Sequence, residues 1–458
     1  MFDLCICTHN PRVAILRRCL EAIETQLSPP AFRLLLVDNA SQPPLTDDLL
    51  DHLRQRGVPT VLIRERRLGL TAARLAAFEH SNEEWLVFID DDNVIDPDFL
   101  RLGAEFARTH PEVGAFGGRI LLPPDMKPPG WMIPLLGSMG VKDEGDKILI
   151  NSSLEWDRHD PPGAGLWVRS ALVRRFADRT RSNSSIFSLG RRGNNLASCE
   201  DAVLVKGARE LGFCNAYVPA LRALHYLKPE RFTFRHAMRS LFAYGRSIAL
   251  YERIMALGGE QLGNLGNPRP LIAGWRTFNR ERKRSIRYAA TQAVYQWSYE
   301  RNRQALAREQ PDLAPDEAAL NNLVPFLRTG ASAHLERMAI VVEEGSAEFA
   351  VYGPYWTLPA GRYEMRAEII SNQQLSGEAP LIIAQVTAKC GTLVLAEGKW
   401  PLNKRGLSDL KTTTEFRLPF SLARDLPLPA RTIETRIFTP GNVSFRIISL
   451  CLRRASAP

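Results

Sequence analysis

Three consecutive aspartates, Asp90, Asp91 and Asp92, follow directly on an apolar run of the sequence. The run predicts a buried β-strand of an α/β sheet. Because side chains alternate along a strand, we expect Asp90 and Asp92 to point to one side and Asp91 to the other. Two carboxylates at the carboxyl end of a strand favour a hard divalent cation such as Mg²⁺ or Mn²⁺, at the edge where open α/β sheets bind ligands. A polar turn before the next helix, with Asp96 and Pro97 at its start, is the alternative interpretation.

Repeated strand–helix units in residues 2–120 must position these aspartates. Such units predict a mostly parallel sheet with helices on both faces. The predicted strands are Phe2–Thr8, Phe32–Val37, Pro59–Ile63, the run before Asp90 and, later, Phe213–Val218. The predicted helices are one from Asn10-Pro11 to Leu27, then Thr46–Arg56, Gly69–His80, Pro97–Thr109 and Ser198–Leu211.

The hydrophobic pattern changes twice along the second half of the chain. Apolar residues recur at helical spacing between about 232 and 310, and from about 334 they alternate with polar residues, as in Tyr363, Met365 and Ala367. The second pattern is typical of antiparallel strands. We therefore predict an α/β domain at 1–231, a helical extension at 232–333 and a β-sandwich at 334–458.

Composition narrows the classes of function. The 458 residues are 45% hydrophobic, which is typical of globular proteins, and no apolar run is long enough to span a bilayer. The net charge of +9 favours an acidic partner: a nucleotide diphosphate, anionic lipid headgroups or nucleic acid. No nucleic-acid-binding motif is present, so we expect a nucleotide, with membrane contact as an additional option, and no nucleic acid. Seven scattered cysteines without zinc-site spacing, and no secretory signal, favour a cytoplasmic protein, with the inner face of the membrane as a peripheral location.

Further polar segments follow the other predicted strands. The order and spacing of these segments resemble those of a family 2 glycosyltransferase with the GT-A fold. The resemblance covers residues 2–235. The segments that carry it are Cys7-Thr8-His9-Asn10, Val37-Asp38-Asn39, Leu68-Gly69-Leu70 to Arg74, Ile89-Asp90-Asp91-Asp92, Gly163–Arg169, Glu200-Asp201 and His225.

The resemblance implies roles for individual residues. Asp90 and Asp92 correspond to the DXD motif, in which Asp92 ligates a Mn²⁺ or Mg²⁺ ion on the donor diphosphate and Asp90 lies nearer the ribose. His225 is a candidate third metal ligand, with a surface or core histidine as the alternative. Asp38 would accept a hydrogen bond from a uracil or thymine ring. The residues expected to line the nucleotide-sugar pocket are Thr8, Asn10, Asp38, Gly69, Arg74, Asp90 and Asp91.

Displacement at an anomeric carbon also requires a base that takes the proton of the acceptor hydroxyl. Asp201 is the candidate base, because the first turn of a helix favours an ionised carboxylate. Glu200 is expected to orient the acceptor or to support the loop. The sequence departs from the family at Cys199, where glycine is usual before the Glu-Asp pair; glycine adopts backbone conformations that cysteine resists.

These features predict an inverting, metal-dependent glycosyltransferase of the hexosyltransferase type. Its donor would be a UDP- or dTDP-sugar, and its acceptor a glycan or a lipid-linked molecule in surface-polysaccharide or glycoconjugate assembly. A nucleotidyltransferase on a related α/β fold is one alternative, although Thr8–Arg12 contains no glycine for a phosphate loop. A degenerate, non-catalytic carbohydrate-binding protein is the other.

Two segments outside the predicted α/β domain carry weaker signals. The basic helical segment Arg276–Arg303 could contact a membrane that bears a lipid-linked acceptor, or it could be solvated or packed. Aromatic residues of the sandwich could stack on sugars or form its core; they are Tyr352, Tyr355, Trp356 and Trp400.

Overall fold

The computed structural model describes most of the chain. The described residues are 1–152, 156–255, 270–308, 322–324, 327–329, 332–336, 339–345, 347–358, 360–371, 381–388, 393–401, 412–423 and 432–454. They form two compact units: the first includes the described residues up to Tyr251, except Arg209–Gly212, together with 270–303, and the second includes the strands from residue 328 onward.

A nine-stranded sheet forms the centre of the first unit, in the order β3-β2-β1-β4-β8-β6-β9-β5, with β7 paired to β9. Its strands are β1 (Phe2–Thr8), β2 (Phe32–Asn39), β3 (Thr60–Glu65), β4 (Trp85–Asp90), β5 (Asn93–Ile95), β6 (Val113–Leu121), β7 (Leu149–Asn151), β8 (Leu166–Arg169) and β9 (Cys214–His225). Strands β1 to β4 are parallel, whereas β8 is antiparallel to both β4 and β6. The predicted mostly parallel α/β sheet is confirmed.

Helices connect these strands. They are α1 (Val13–Glu24), α2 (Asp51–Gln55), α3 (Leu70–Glu79), α4 (Phe99–Thr109), α5 (Ser170–Ser182) and α6 (Glu200–Glu210). Amphipathic α1 buries Leu16, Cys19 and Ile23, which recur at helical spacing. Helix α4 approaches the sheet at Gly103, where an added Cβ would lie 2.3 Å from the buried indole of Trp167. Only glycine permits this approach.

The predicted helical extension is also present. It consists of α7 (Phe234–Ile254), α8 (Pro270–Glu281) and α9 (Ile286–Arg308). Leu241 of α7 is buried in a small apolar cluster with Met132 and Leu135, which belong to a short 3₁₀ segment after β6. Among the helices that the structure describes, none is long and apolar enough to cross a bilayer.

Two five-stranded antiparallel sheets form the second unit, in the orders β10-β13-β18-β15-β16 and β11-β12-β19-β14-β17. Their strands are β10 (Arg328–Thr329), β11 (Ala333–Glu336), β12 (Ala339–Val342), β13 (Glu348–Thr357), β14 (Gly361–Ser371), β15 (Leu381–Ala388), β16 (Leu393–Pro401), β17 (Thr412–Leu422), β18 (Thr432–Thr439) and β19 (Phe445–Arg454). Tyr363, Met365 and Ala367 point into the core, as the alternation predicts. The predicted antiparallel sandwich is confirmed.

The sandwich core extends beyond the predicted boundary at 334. Leu323, Val324 and Leu327 are fully buried in the same cluster as the strand residues, and the Leu323 amide donates to the carbonyl of Leu450. Trp400 is half-buried against this core and stacks on Phe416, with 4.5 Å between ring centroids. The side chains of Tyr355 and Trp356 lie outside the described part of the structure.

We expect a fragment of residues 322–458 to fold alone and to unfold cooperatively. A fragment of 334–458 should be less stable, because it lacks three buried aliphatic side chains, each worth about 1.5–3 kcal/mol. Urea denaturation followed by circular dichroism measures both midpoints. Equal midpoints would show that Leu323, Val324 and Leu327 contribute nothing to the sandwich core.

Candidate active site

A pocket of about 490 Å³ lies at the carboxyl ends of β1 and β4. Strand pairing brings these ends level: Thr8 pairs with Asp38 on β2, and Cys7 pairs with Asp90 on β4. Parallel strands end at one edge of a sheet, so residues from separate parts of the sequence meet there. Of the predicted site residues, the pocket is lined by Thr8, Gly69, Arg74, Asp90, Asp91, Asp92, Glu200, Asp201 and His225.

All three aspartates of the acidic motif line this pocket. The expected alternation stops because β4 ends at Asp90 and the chain turns at Asp91 and Asp92. Asp91 accepts a hydrogen bond from the Thr8 hydroxyl. Burial, with a contribution from the charge of Asp92, raises the pKa of Asp91 to about 7. Burial also raises the pKa of Asp90, against the opposing effect of Arg74.

His225 reaches the acidic turn because β5 pairs with β9. Asn93 lies opposite His225 in this pairing, and the amide of Tyr226 donates to the carbonyl of Asp92. The His225 Nε2 lies 3.2 Å from Asp92 Oδ1. Burial favours the neutral form of Asp92, but His225, Arg231 and Arg12 together outweigh this effect, so the pKa of Asp92 is lowered.

The Asp92–His225 pair suits a divalent cation. Two neighbouring ligands of an octahedral ion, each at about 2.1 Å, lie about 3.0 Å apart, which is close to the observed separation of Nε2 and Oδ1. A carboxylate and an imidazole are also ligands that Mn²⁺ accepts. Among the residues that the structure describes, no three His, Cys, Asp or Glu side chains form a complete metal site. An ion held by Asp92 and His225 would need further ligands, such as the oxygens of a bound anion.

Two arginines of the pocket, Arg191 and Arg231, were missed as individual site residues in the sequence. Neither forms an ion pair with any residue that the structure describes. Burial lowers the pKa of Arg231, and Arg191 lowers it further, while Asp92 and Asp90 oppose these effects. The two arginines thus line the same pocket as the acidic turn. Unpaired arginines in a concave site are suited to binding phosphate groups.

The carbonyl of Arg191 holds its loop against the start of α3. It accepts a hydrogen bond of 2.9 Å from the amide of Leu70. Gly69, which precedes this helix, has a φ of +137°, a conformation that side-chain-bearing residues rarely adopt. The Gly-rich and Asn-rich composition around Arg191 was the available signal for a binding loop in the sequence.

Arg74 and Glu200 form a buried ion pair between α3 and α6. Arg74 Nη1 lies 2.9 Å from Glu200 Oε1, and both side chains are only 4% exposed. Burial, reinforced by Asp201, raises the pKa of Glu200 to about 7, with Arg74 acting in the opposite direction. Arg74 also donates to the carbonyl of Gly163 at 3.3 Å. A Cβ at Gly163 would lie 2.1 Å from Arg74 Nη2, so a side chain there would displace the buried guanidinium.

Asp201 occupies the first turn of α6 and is more exposed than Glu200. Its Oδ2 accepts a hydrogen bond of 2.8 Å from the Gly163 amide, and its Oδ1 accepts one of 2.9 Å from the Ala202 amide. The segment before Gly163 is fixed to the same helix by a buried ion pair, in which Lys206 Nζ lies 2.6 Å from Asp160 Oδ2. The two backbone amides thus fix the orientation of the Asp201 carboxylate at the start of α6.

The structure does not bring Asp38 or Asn10 to the lining of this pocket. Asp38 is buried and accepts hydrogen bonds from the amides of Ser41 and Leu45, and it pairs with Arg64. Asn10 accepts from the amide of Gln42 at 2.8 Å. Both residues therefore hold the loop that follows β2.

Their sequence neighbours His9 and Asn39 line the pocket instead. Asn39 Oδ1 accepts from the Gly69 amide at 2.7 Å, and the Asn39 carbonyl lies 2.7 Å from His9 Nδ1. Both residues belong to segments that pointed to the site in the sequence, but nothing in the sequence distinguished them from Asn10 and Asp38.

Cys199 adopts a backbone conformation that favours glycine, with a φ of +83°. Its side chain is buried and lines the pocket next to Glu200. A residue other than glycine in the left-handed backbone conformation lowers the free energy of unfolding by about 1–2 kcal/mol. The departure noted in the sequence therefore leaves the glycine-type loop in place, with a strained cysteine in it.

We expect Cys199→Gly to change the free energy of unfolding by less than about 1 kcal/mol, since relief of strain offsets the lost side-chain packing. Cys199→Val should be destabilising by about 2 kcal/mol or more, because a β-branched residue resists positive φ. Thermal unfolding of the three proteins makes this comparison. A valine variant as stable as the glycine variant would show that the backbone at residue 199 is not strained.

Several solved structures resemble this chain. The crystal structure of S. aureus TarS has 11% identity and a TM-score of 0.35 and covers 92% of this chain and 72% of that chain. TarS 1–349 in complex with UDP-GlcNAc has 14% identity and a TM-score of 0.35 and covers 66% and 92%, respectively. The mannosyltransferase PcManGT from Pyrobaculum calidifontis, in complex with GDP-Man and Mn²⁺, has 13% identity and a TM-score of 0.35 and covers 68% and 76%.

Among curated protein sequences, none matches this chain. The family model described as glycosyl transferase family 2 matches residues 3–177, which include β1 to β4, the acidic turn and the Gly163 segment. The α/β sheet of these residues contains the parallel strands β1 to β4 that the resemblance implied. Residues 3–177 are therefore the part of this chain that is similar to glycosyl transferase family 2.

Proposed function

We propose that this protein is an inverting, metal-dependent glycosyltransferase of the hexosyltransferase type. It transfers a sugar from a nucleotide-sugar, with UDP- or dTDP-sugars favoured, to a glycan or lipid-linked acceptor in surface-polysaccharide or glycoconjugate assembly. The observation that carries this proposal is one pocket with an acidic turn and His225 beside unpaired Arg191 and Arg231, and with Asp201 in its lining.

We assign the nucleotide-sugar donor to this pocket because of the charged side chains that line it. Arg191 and Arg231 supply cationic donors for the diphosphate, next to Asp90 and Asp92. We place the base and ribose towards Thr8, Asn39 and Gly69, at the ends of β1 and β2. Asp38 serves this end by holding the loop from Asn39 to Leu45, since backbone amides occupy its carboxylate.

Asp92 and His225 would hold the Mn²⁺ or Mg²⁺ ion, with Asp90 close by. When bound, the ion stabilises negative charge that grows on the departing diphosphate. Charge balance supports this assignment. The pocket contains five carboxyl groups and three arginines, so an added cation favours the entry of a diphosphate. The neighbouring PcManGT structure holds GDP-Man together with Mn²⁺.

The transfer itself is a single displacement. The acceptor hydroxyl oxygen forms a bond to the anomeric carbon while the bond from that carbon to the diphosphate oxygen breaks. The hydroxyl proton passes to Asp201, and the nucleoside diphosphate leaves with the bonding electrons. Attack from the face opposite the leaving group inverts the anomeric configuration.

Glu200 has a different role from Asp201, because its carboxylate is committed to Arg74. Through Arg74 and the Gly163 carbonyl, this pair holds the segment whose amide orients Asp201. Glu200 is therefore a positioning residue, and Asp201 is the base.

The alternatives receive less support. A nucleotidyltransferase usually has a glycine-rich, lysine-containing phosphate loop, and no described lysine lines this pocket. A degenerate binding protein would have no need for Asp90, Asp92 and Asp201 in one lining. All six cysteines that the structure describes are free thiols, which suits a reducing compartment. We therefore place the reaction in the cytoplasm.

Asp92→Ala should abolish transfer and the metal-dependent part of UDP binding, because it removes a carboxylate ligand of the ion. Calorimetry with UDP, with and without Mn²⁺, measures the binding. Asp98→Ala is the matched control, since among the described residues this half-exposed carboxylate forms an ion pair with Arg101 alone. Undiminished metal-dependent UDP binding by the Asp92 variant would refute the assignment.

Asp201→Asn should lower kcat by about 10²–10⁴-fold, the usual contribution of a general base, with donor affinity unchanged. Its melting temperature should fall only modestly, because asparagine retains an oxygen for the Gly163 amide and loses only the acceptor of the Ala202 amide. Glu200→Gln should lower the melting temperature, because it leaves Arg74 buried without its counter-charge. Steady-state kinetics, UDP titration and thermal unfolding separate these effects.

Two outcomes would contradict the mechanism. One is an Asp201→Asn enzyme that keeps its kcat and loses only donor affinity, which would make Asp201 a binding residue. The other is a product that retains the anomeric configuration of the donor sugar, as observed by NMR of the fresh product.

A further inference from the structure

Helix α8 exposes several large apolar side chains to solvent. Leu271 and Trp275, four residues apart and so on one face, are 75% and 66% exposed, and Ile272 beside them is 39% exposed. The other side of α8 is packed: Gly274 and Thr277 are buried, and a Cβ at Gly274 would lie 3.0 Å from the Ala293 carbonyl of α9. Helix α8 is therefore packed through its opposite side, and the side with Leu271 and Trp275 faces solvent.

The surroundings of this apolar surface are strongly basic. Six arginine and lysine residues lie between Pro270 and Tyr299, against one acidic residue, Glu281. Glu281 pairs with Arg280 and Arg284. No residue that the structure describes pairs with the remaining four, which are Arg276, Arg282, Lys283 and Arg287. At the start of α9, Ile286 is 72% exposed within this basic stretch.

We propose that this surface, formed by Leu271, Ile272, Trp275 and the basic residues from Arg276 to Arg287, binds a membrane surface rich in anionic lipids. An exposed tryptophan with aliphatic neighbours is suited to the boundary between headgroups and acyl chains. Unpaired arginines and lysines beside them attract anionic headgroups. Charge complementarity selects this occupant over a second copy of the chain, which carries a net charge of +9 and would bring like charges together.

The inference goes beyond the proposed function, because it concerns where the enzyme acts and not which reaction it performs. None of the residues in this surface lines the pocket with Asp92 and Asp201. An enzyme held at a membrane would meet a lipid-linked acceptor at high local concentration.

Flotation of the full chain with lipid vesicles tests the proposal. We expect binding to vesicles of phosphatidylcholine and phosphatidylglycerol, weakening as salt is added, and little binding to phosphatidylcholine alone. The double variant Arg282→Ser/Lys283→Ser should bind about thirtyfold more weakly, since each basic residue near the surface contributes about 1 kcal/mol. The variant Leu271→Ser/Trp275→Ser should lose at least about tenfold, because it removes the apolar contacts.

Val394→Ser is the matched control, because Val394 is 50% exposed on β16 and belongs to the other unit. This variant should bind vesicles as the wild type does. Donor hydrolysis without vesicles should be equal in all four proteins, so that a failure of lipid binding is distinguished from a failure of the proposed reaction.

Three results would overturn the proposal. The wild type could fail to bind anionic vesicles, or Leu271→Ser/Trp275→Ser could bind them unchanged. Sedimentation could instead show a wild-type dimer that becomes monomeric in Leu271→Ser/Trp275→Ser without any lipid binding, which would assign the surface to a second copy of the chain.

Discussion

Arg74 is the buried cation on which the arrangement of the pocket depends. It contacts Glu200 directly, and the charges of Glu200, Asp201 and Asp90 outweigh the effect of its burial, so the pKa of Arg74 is raised. The sheet edge gathers carboxylates from β4 and from α6, and these groups repel one another in a medium that screens poorly. The positive charge of Arg74 offsets the repulsion between the carboxylates of β4 and those of α6. The absence of a side chain at Gly163 is what makes room for this guanidinium.

Much of this arrangement follows from strand pattern alone. The sequence predicts β1 with the bounds that the structure has, and it predicts β4 up to Asp90 because an apolar run ends there. Parallel pairing then places Thr8 and Asp90 at one edge without further information. Cys199 was also recognisable, because a family position that usually holds glycine implies a positive φ.

Other parts of the site could not be predicted from local pattern. Strand β5 has only three residues, too few for a periodicity, yet its pairing with β9 decides where His225 lies. Helix α5 is different, because its buried Leu172, Val173 and Phe176 recur at helical spacing, so the sequence did carry a signal for this helix, which was not predicted. Whether Asp38 faces a ligand or its own loop depends on which amides reach it, and that is a tertiary property.

The pairing of β5 with β9 has a consequence for biosynthesis. Strand β9 lies between β6 and β5 in the sheet, and it carries His225 to Asp92 across a long stretch of intervening chain. While the ribosome is still adding residues before 225, the acidic turn is exposed without its imidazole partner, although β1, β2, β3 and β4 can already pair. Closing so long a loop costs conformational entropy that only the completed strand repays. The nascent chain therefore acquires the parallel part of its sheet early and the contact between Asp92 and His225 late, so a truncated product would contain the acidic turn without the imidazole beside it.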